Sequence, residues 1–341
     1  MFTYIVRRVL MMIPVLIGAT MLAFLLVKAT GDPVDNKVIQ MEMASGKPVP
    51  ESTVDAMKAE LYTDRSVPEQ YWLWLTGIGD TRGDIGILQG EWGPSVKGSA
   101  TDLGEEFSSR FWVTFRLVLF ATIASIGLAI VTGVVSAVRQ YHWVDYLLTF
   151  VGFIALALPT FWFAELVKEA GIQINKETGS QTFMTNGSGT TGFDGGPWAS
   201  FVDSLPYLIL PTIVLMLTGY ASMARYQRAS MLEVLNSDYV RLARAKGVRH
   251  RTVMRRHALR TALIPIATFA PLGVATAMGG SLVMEKIFGW RGLGTFAMQA
   301  INTYDAYAIM GFLLISGVIT LLGVLVSDLL YGVLDPRIRY E

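Results

Sequence analysis

Apolar residues in this chain gather into runs long enough to cross a bilayer, and the stretches between them are too polar to enter one. The first run occupies residues 4–28, opening on Arg7 and Arg8 and continuing apolar from Val9 to Val27. At about 1.5 Å per residue such a run spans a hydrocarbon core of about 30 Å. A signal peptide also has a basic start, but its apolar centre is typically about 7–15 residues, so a retained transmembrane helix is expected. Five more runs predict spans at about 112–137, 146–167, 205–224, 262–284 and 308–331. The third contains Leu158-Pro159-Thr160-Phe161-Trp162, where proline frees a backbone carbonyl and predicts a bend. The expected fold is an all-α polytopic membrane protein with six transmembrane helices.

The polar stretches divide the chain into a first helix (1–29), a loop or small domain (30–110), and a core of five helices (111–341). Residues 30–110 hold Pro33, Pro48, Pro50, Pro68 and Pro94 and the glycine-rich RGDIGILQGEWG. Within them, residues 51–62 follow a helical pattern, with Ser52 or Thr53 as the cap. Trp72, Trp74 and Trp92 suit either the headgroup layer or a contact surface for an external partner. Residues 171–203 are rich in Gly, Ser, Thr and Asn, a composition that implies a mobile loop. Residues 285–307 form a shorter polar segment.

Charge orients these elements. Residues 239–265 carry Arg241, Arg244, Lys246, Arg249, Arg251, Arg255, Arg256 and Arg260, yet they lie between two apolar runs. Arg or Lys at a helix centre costs roughly 2.5–3.5 kcal/mol on insertion, so the segment is a surface loop. Short Lys/Arg-rich loops stay cytoplasmic. Placing residues 225–261 inside puts both termini, Arg139 and the tail with Arg337 and Arg339 on the cytoplasmic side, and residues 30–110 outside. Hydrophobic residues make up 52% of the 341, charged ones 16%, and mean hydropathy is +0.45. Soluble domains carry about 25% charged residues, so composition agrees with a multi-pass membrane protein. A net charge of +1 gives no sign of nucleic-acid binding, and the absence of cysteine excludes disulfides.

The cationic loop has internal structure. Ser237 or Asp238 can cap a helix over Tyr239–Lys246, and Gly247 suits a left-handed stop. A second helical stretch runs from near Arg249 to before Pro265. Tyr239, Leu242, Ala243 and Lys246 follow i, i+3, i+4, i+7 spacing and predict one face, with Arg241 and Arg244 beside it. Such a helix can slot into a groove on a soluble partner, or serve as a solvated basic face against anionic lipid.

The order of residues resembles a known pattern. Tyr239-Val240-Arg241-Leu242-Ala243-Arg244-Ala245-Lys246-Gly247, with His257-Ala258-Leu259-Arg260 and Ile264-Pro265, is similar to the EAA loop of ATP-binding-cassette importer permeases, most of all the dipeptide/oligopeptide family. Arg241 stands where the wider superfamily has glutamate. The likeness extends to Arg225, Arg228, Glu285-Lys286-Ile287-Phe288, Asp305, Gly83-Asp84-Ile85-Gly86 and Leu334-Asp335-Pro336-Arg337. It implies a non-catalytic permease of the prokaryotic inner (plasma) membrane that forms half of a pathway for di- or oligopeptides. The implied partners are a second homologous permease in a heterodimer, two cytosolic ATPases and an extracytoplasmic substrate-binding lipoprotein. ATP and magnesium would sit on the ATPases, with no cofactor in this chain. Tyr239, Arg241–Gly247 and Pro265 would form the ATPase-coupling site.

Other chemistry finds little support. No G-x-x-x-x-G-K-[ST], G-x-S-x-G or H-E-x-x-H occurs. His142, His250 and His257 lie in basic segments without carboxylate partners, a poor metal set. The rival functions are an ion-coupled secondary carrier and a channel for small polar solutes. A carrier generally places titratable groups near the midplane, whereas Arg116, Glu165 and Asp328 fall near span ends. Gly273, Ala277, Gly279 and Gly280 put small residues at helical spacing, suited to packing within the chain or to a seam with a second permease.

Overall fold

The computed structural model describes residues 2–29, 31–98 and 100–334, with backbone alone for Phe2, His250 and His257. Its elements are, in order, α1 (Phe2–Ala29), α2 (Pro33–Ser45), α3 (Glu51–Glu60) and α4 (Val67–Thr76). A two-stranded antiparallel hairpin follows, β1 (Ile85–Gly86) and β2 (Glu91–Trp92). Next come α5 (Leu103–Val138), α6 (Trp143–Ala157), α7 (Thr160–Thr178) and α8 (Gly196–Leu235). Then α9 (Asp238–Ala245), α10 (His250–Thr252), a π-helix (Val253–Leu259), α11 (Arg260–Ala262) and α12 (Ile264–Gly280). Last are α13 (Leu282–Ile287), α14 (Leu293–Asn302) and α15 (Ala306–Leu334).

Among the described residues, four helices are long and apolar enough to cross a bilayer: α1, Leu103–Val138, Gly196–Leu235 and Ala306–Leu334. Two bent pairs raise the number to six if each is one span: α6 with α7, at 104°, and Val253–Ala262 with Ile264–Gly279, at 44°. The expected third span is thus not one bent helix. Leu158, preceding Pro159, is held extended at ψ 127 by the proline ring, which ends α6 outright. The tail with Arg337 and Arg339, expected in the cytoplasm, lies outside the described residues.

The chain divides into two compact units, Met1–Thr114 with Arg291–Leu321, and Phe115–Trp290 with Leu322–Glu341. In the first, Trp74, Leu73, Ile85, Phe107, Leu293 and Phe296 are fully buried. Trp74 is therefore core and not a headgroup anchor, whereas Trp72 is 55% exposed. The polar stretch ends at residue 102, where α5 begins, and α3 starts behind Pro50, not behind Ser52 or Thr53. Buried Asp305 accepts hydrogen bonds from Ser95 Oγ at 2.5 Å, the Val96 amide at 3.1 Å and the Ala308 amide at 3.1 Å. The Tyr307 hydroxyl donates to the Leu61 carbonyl at 3.1 Å. These bonds fasten the start of α15 to the polar stretch.

In the second unit α8 is the element on which α6, α7, α9 and α12 pack. Small residues let the backbones close up: Ala129, Ala155 and Ala221 meet around Tyr220. The segment between α7 and α8 spans residues 179–195, because α7 continues to Thr178 and α8 starts at Gly196. Its composition implied mobility, yet it is tied down. The Gly187 amide donates to the Phe288 carbonyl at 2.8 Å, Arg116 to the Ser188 carbonyl at 3.0 Å, and the Thr190 hydroxyl to Asp203 at 2.7 Å.

A polar corner closes the first unit. Tyr62, at φ +55, places its hydroxyl 2.6 Å from Asp80 and 2.5 Å from Asp84, and Arg82 Nε donates to it at 3.0 Å. Burial pushes the Asp80 carboxyl up, but bonds from the Arg82 amide, the Tyr62 hydroxyl and the Gly83 and Asp84 amides outweigh it. They hold its pKa at about 2, below the ordinary 3.8. An aspartate held low stabilises the fold above its ordinary pKa and ceases to as pH falls through the depressed one. Protection of the Gly83 and Asp84 amides from hydrogen exchange is therefore expected to hold above about pH 4 and weaken between about pH 4 and 2. A profile flat through that window contradicts the network.

Candidate functional site

The cationic segment folds as a short helix, a tight stop and a second helical stretch. Ser237 takes the extended backbone of an N-cap (φ −70, ψ 150), but its hydroxyl donates to the Val234 carbonyl at 2.6 Å instead of receiving an α9 amide. Asp238 supplies a negative charge to the first turn, where the helix dipole favours it. Its contact with Arg241, at 3.9 Å between exposed groups, contributes little. At the other end Gly247 sits at φ +74. The Gly247 amide donates to the Arg244 carbonyl at 3.0 Å and the Val248 amide to the Ala243 carbonyl at 3.3 Å. This is a Schellman stop, completed by Val248 packing with the cluster that holds Ala243.

One side of α9 is buried. Val240 (0% exposed) and Ala243 (9%) rest on Met231 and Val234 of α8 and Ala137 of α5, together with Val253, Ala258 and Ala262. Ala243 therefore faces inward, and the face expected to hold it with Tyr239, Leu242 and Lys246 is split. Tyr239 and Leu242 stay exposed, as do Arg241, Arg244, Ala245, Lys246 and Gly247. The outer surface is an apolar pair three residues apart, rimmed by cations, on a helix whose other side is fixed.

The second stretch is seated by an unusual turn. Val253 and Ala258 are both fully buried although five residues apart. An α-helix would bring Arg256 or His257 round to the side of Val253; the wider π turn, with its i to i+5 bonding, brings Ala258 there instead. Arg249, Arg251, Arg255, Arg256 and Arg260 are left exposed. The apolar spacing Val253, Ala258, Ala262 carried this signal, which a strict 3.6-residue reading passes over. Pro265 lies in the first turn of α12, where its missing N–H is tolerated, beside the 44° bend.

The small residues of α12 divide. Gly273 and Ala277 are half-buried and line a cavity of about 220 Å³ with Val118, Ser125 and Met223 of α5 and α8. Gly279 is exposed with nothing near its Cα hydrogens, and Gly280 ends the helix.

The chain is similar to known proteins along nearly its whole length. The family model described as binding-protein-dependent transport system inner membrane component matches residues 129–340, and its N-terminal counterpart matches residues 1–107. The oligopeptide transport system permease protein AppB of Bacillus subtilis (strain 168) is 37% identical over 341 residues, 100% of both chains. The oligopeptide transport system permease protein OppB of Mycobacterium tuberculosis (strain ATCC 25618 / H37Rv) is 34% identical over 339 residues, 99% of each. The dipeptide transport system permease protein DppB of Escherichia coli (strain K12) is 33% identical over 354 residues, 100% of each. Among solved structures, the MetNI methionine ABC transporter in inward facing conformations shares the fold at a TM-score of 0.52 and 14% identity, over 67% of this chain and 96% of that one. Matched along nearly its whole length, the chain belongs to the binding-protein-dependent transport system inner membrane component family and is a multi-pass transport permease, not an enzyme.

Proposed function

We propose that this chain forms half of the translocation pathway of an ATP-driven peptide importer and that α9 is the handle by which a cytosolic ATPase moves it. The observation that carries the reading is the mounting of α9: Tyr239 and Leu242 face outward among cations, while Val240 and Ala243 are fixed to α8. The names of its full-length relatives, oligopeptide and dipeptide permeases, support the peptide as cargo. They favour this reading over a secondary carrier or a channel.

In this arrangement six spans place both termini and the α9–α11 segment in the cytosol and the polar stretch after α1 outside. A second, homologous permease supplies the other half of the pathway, two ATPases bind ATP and magnesium, and an external binding lipoprotein delivers the peptide. Nucleotide-driven closure pulls the seated helix, and a rigid handle is what turns that closure into a shift between inward-open and outward-open states. Gly279, exposed on α12, offers the close backbone approach that packing against a second permease needs, whereas Gly273 and Ala277 face α5 and α8 of this chain.

Two variants test the handle. Gly247→Pro cannot adopt φ +74 and loses the amide that caps Arg244, and Arg244→Glu reverses a charge on the exposed rim. Both are expected to insert normally but to lower peptide uptake by about tenfold or more, the factor that about 1.4 kcal/mol represents. Uptake equal to the parent chain in both variants would refute the docking role. In vesicles, uptake is further expected to need ATP on the α9 side and to survive collapse of the proton gradient; dependence on the gradient at constant ATP favours the carrier.

A further inference from the structure

Asp145, in the first turn of α6, is 2% exposed and gathers bonds from three neighbouring segments. Arg228 of α8 donates to both of its oxygens, Nε to Oδ1 at 2.9 Å and Nη2 to Oδ2 at 2.8 Å. Ser136 of α5 donates its hydroxyl to Oδ1 and accepts from Arg228 Nε at 3.0 Å. The Tyr141 amide, in a turn where Tyr141 itself stands at φ +62, donates to Oδ2 at 3.0 Å. One carboxylate thus joins the end of α5, the α5–α6 turn, the start of α6 and the last third of α8.

Its place in the chain gives this clamp a direction. Arg228 precedes Met231 by three residues and Val234 by six, the two α8 residues on which α9 rests. Ser136 is followed at once by Ala137, the α5 residue in the same seat. Any load entering through α9 therefore meets the clamp within two turns. Without it, the end of α8 would slide past α5 and α6 along their small-residue seam, and the displacement would be spent there. The bidentate fork resists such sliding because both bonds need one orientation of the guanidinium plane. Stability alone does not account for a pair with Asp145 buried and Arg228 30% exposed, since apolar side chains of similar volume often stabilise as well as a buried ion pair.

We propose that Asp145 is a positioning residue for energy coupling: with Arg228 and Ser136 it locks α5, α6 and α8 into one body, so that movement of α9 is delivered to all three helices. This rests on the reading of α9 as the docking helix.

The test uses the complete importer, purified with its native partners and reconstituted in proteoliposomes. Three quantities are read: uptake of a radiolabelled tryptic peptide mixture per ATP hydrolysed, the unfolding midpoint in detergent, and a crosslink from Leu242→Cys to the ATPase. The parent chain has no cysteine, so that thiol is the one this chain carries. In Asp145→Asn, with position 242 otherwise native for the uptake assay, peptide delivered per ATP is expected to fall roughly fivefold or more, at the low end of ordinary coupling between sites. The crosslink and ATP hydrolysis are expected to persist. Arg228→Lys keeps the charge but loses the fork, so it reads the same coupling if Asp145→Asn does not assemble. An unchanged ratio with the crosslink intact overturns the clamp alone. Uptake and hydrolysis falling together with the midpoint overturn it in favour of a purely structural bond. No crosslink from Leu242→Cys in the otherwise native chain overturns the docking reading itself, and the clamp's role with it.

Discussion

Hydrocarbon rejects a segment as cationic as residues 239–265, so it must lie outside the bilayer, and yet it is bound firmly to the helices that cross it. Burial reconciles the two demands. Val240, Ala243, Val253, Ala258 and Ala262 turn inward against Met231, Val234 and Ala137, and fully burying one valine or methionine side chain contributes about 1.5–3 kcal/mol. That contact also explains why α9 exists as a helix. It has eight residues, whereas isolated helices shorter than about 12–15 residues are marginal in water. The seat and the glycine stop together supply what propensity cannot. The charges are then free to face outward, because the segment's attachment does not depend on them.

Much of this was legible from residue order. The apolar runs located α1, α5, α8, α12 and α15, Gly247 marked the stop, and Pro265 marked the entry to α12. Resemblance to importer permeases singled out Arg228 and Asp305, though not what they hold. What escaped had local physical causes. Pro159 acts through the residue before it, and a chain that reads as one bent span turns through 104°. Helical spacing alone could not say whether Ala243 goes with Tyr239 and Leu242 or with Val240, since either grouping makes an apolar stripe; packing on Met231 and Val234 puts it with Val240. Trp74 looked interfacial by type, but type does not distinguish it from Trp72, two residues and about 200° round the helix away. Asp145 was unremarkable in a short basic loop, because its partner lies 83 residues on.

The first unit faces a different difficulty. Short helices and a two-residue hairpin enclose little apolar volume, and small cores are marginal. Its polar contacts compensate by reaching far along the chain. Ser95 and Asp305 are separated by 210 residues, and Leu61 and Tyr307 by 246. Aromatic packing follows the same route, with Phe107 of α5 edge-on to Phe296 of α14 at 5.0 Å. A Cβ on Gly311 would lie 2.4 Å from the Phe107 ring, so α15 passes close only because that position is bare. The polar stretch is held by helices that begin and end the core, and it needs no large interior of its own.

The π turn at Val253–Leu259 has a geometric consequence beyond its own seat. Each residue of an ordinary helix advances the azimuth by about 100°. A surplus residue absorbed in the turn therefore acts as a phase offset for everything downstream, α12 included. Which flank of α12 carries Gly273 and Ala277 toward α5 and α8 is thus determined partly by a spare residue well upstream, in a part of the chain that never touches that cavity. Removing one residue there would leave each piece locally well formed while aiming the wrong side of α12 at its neighbours.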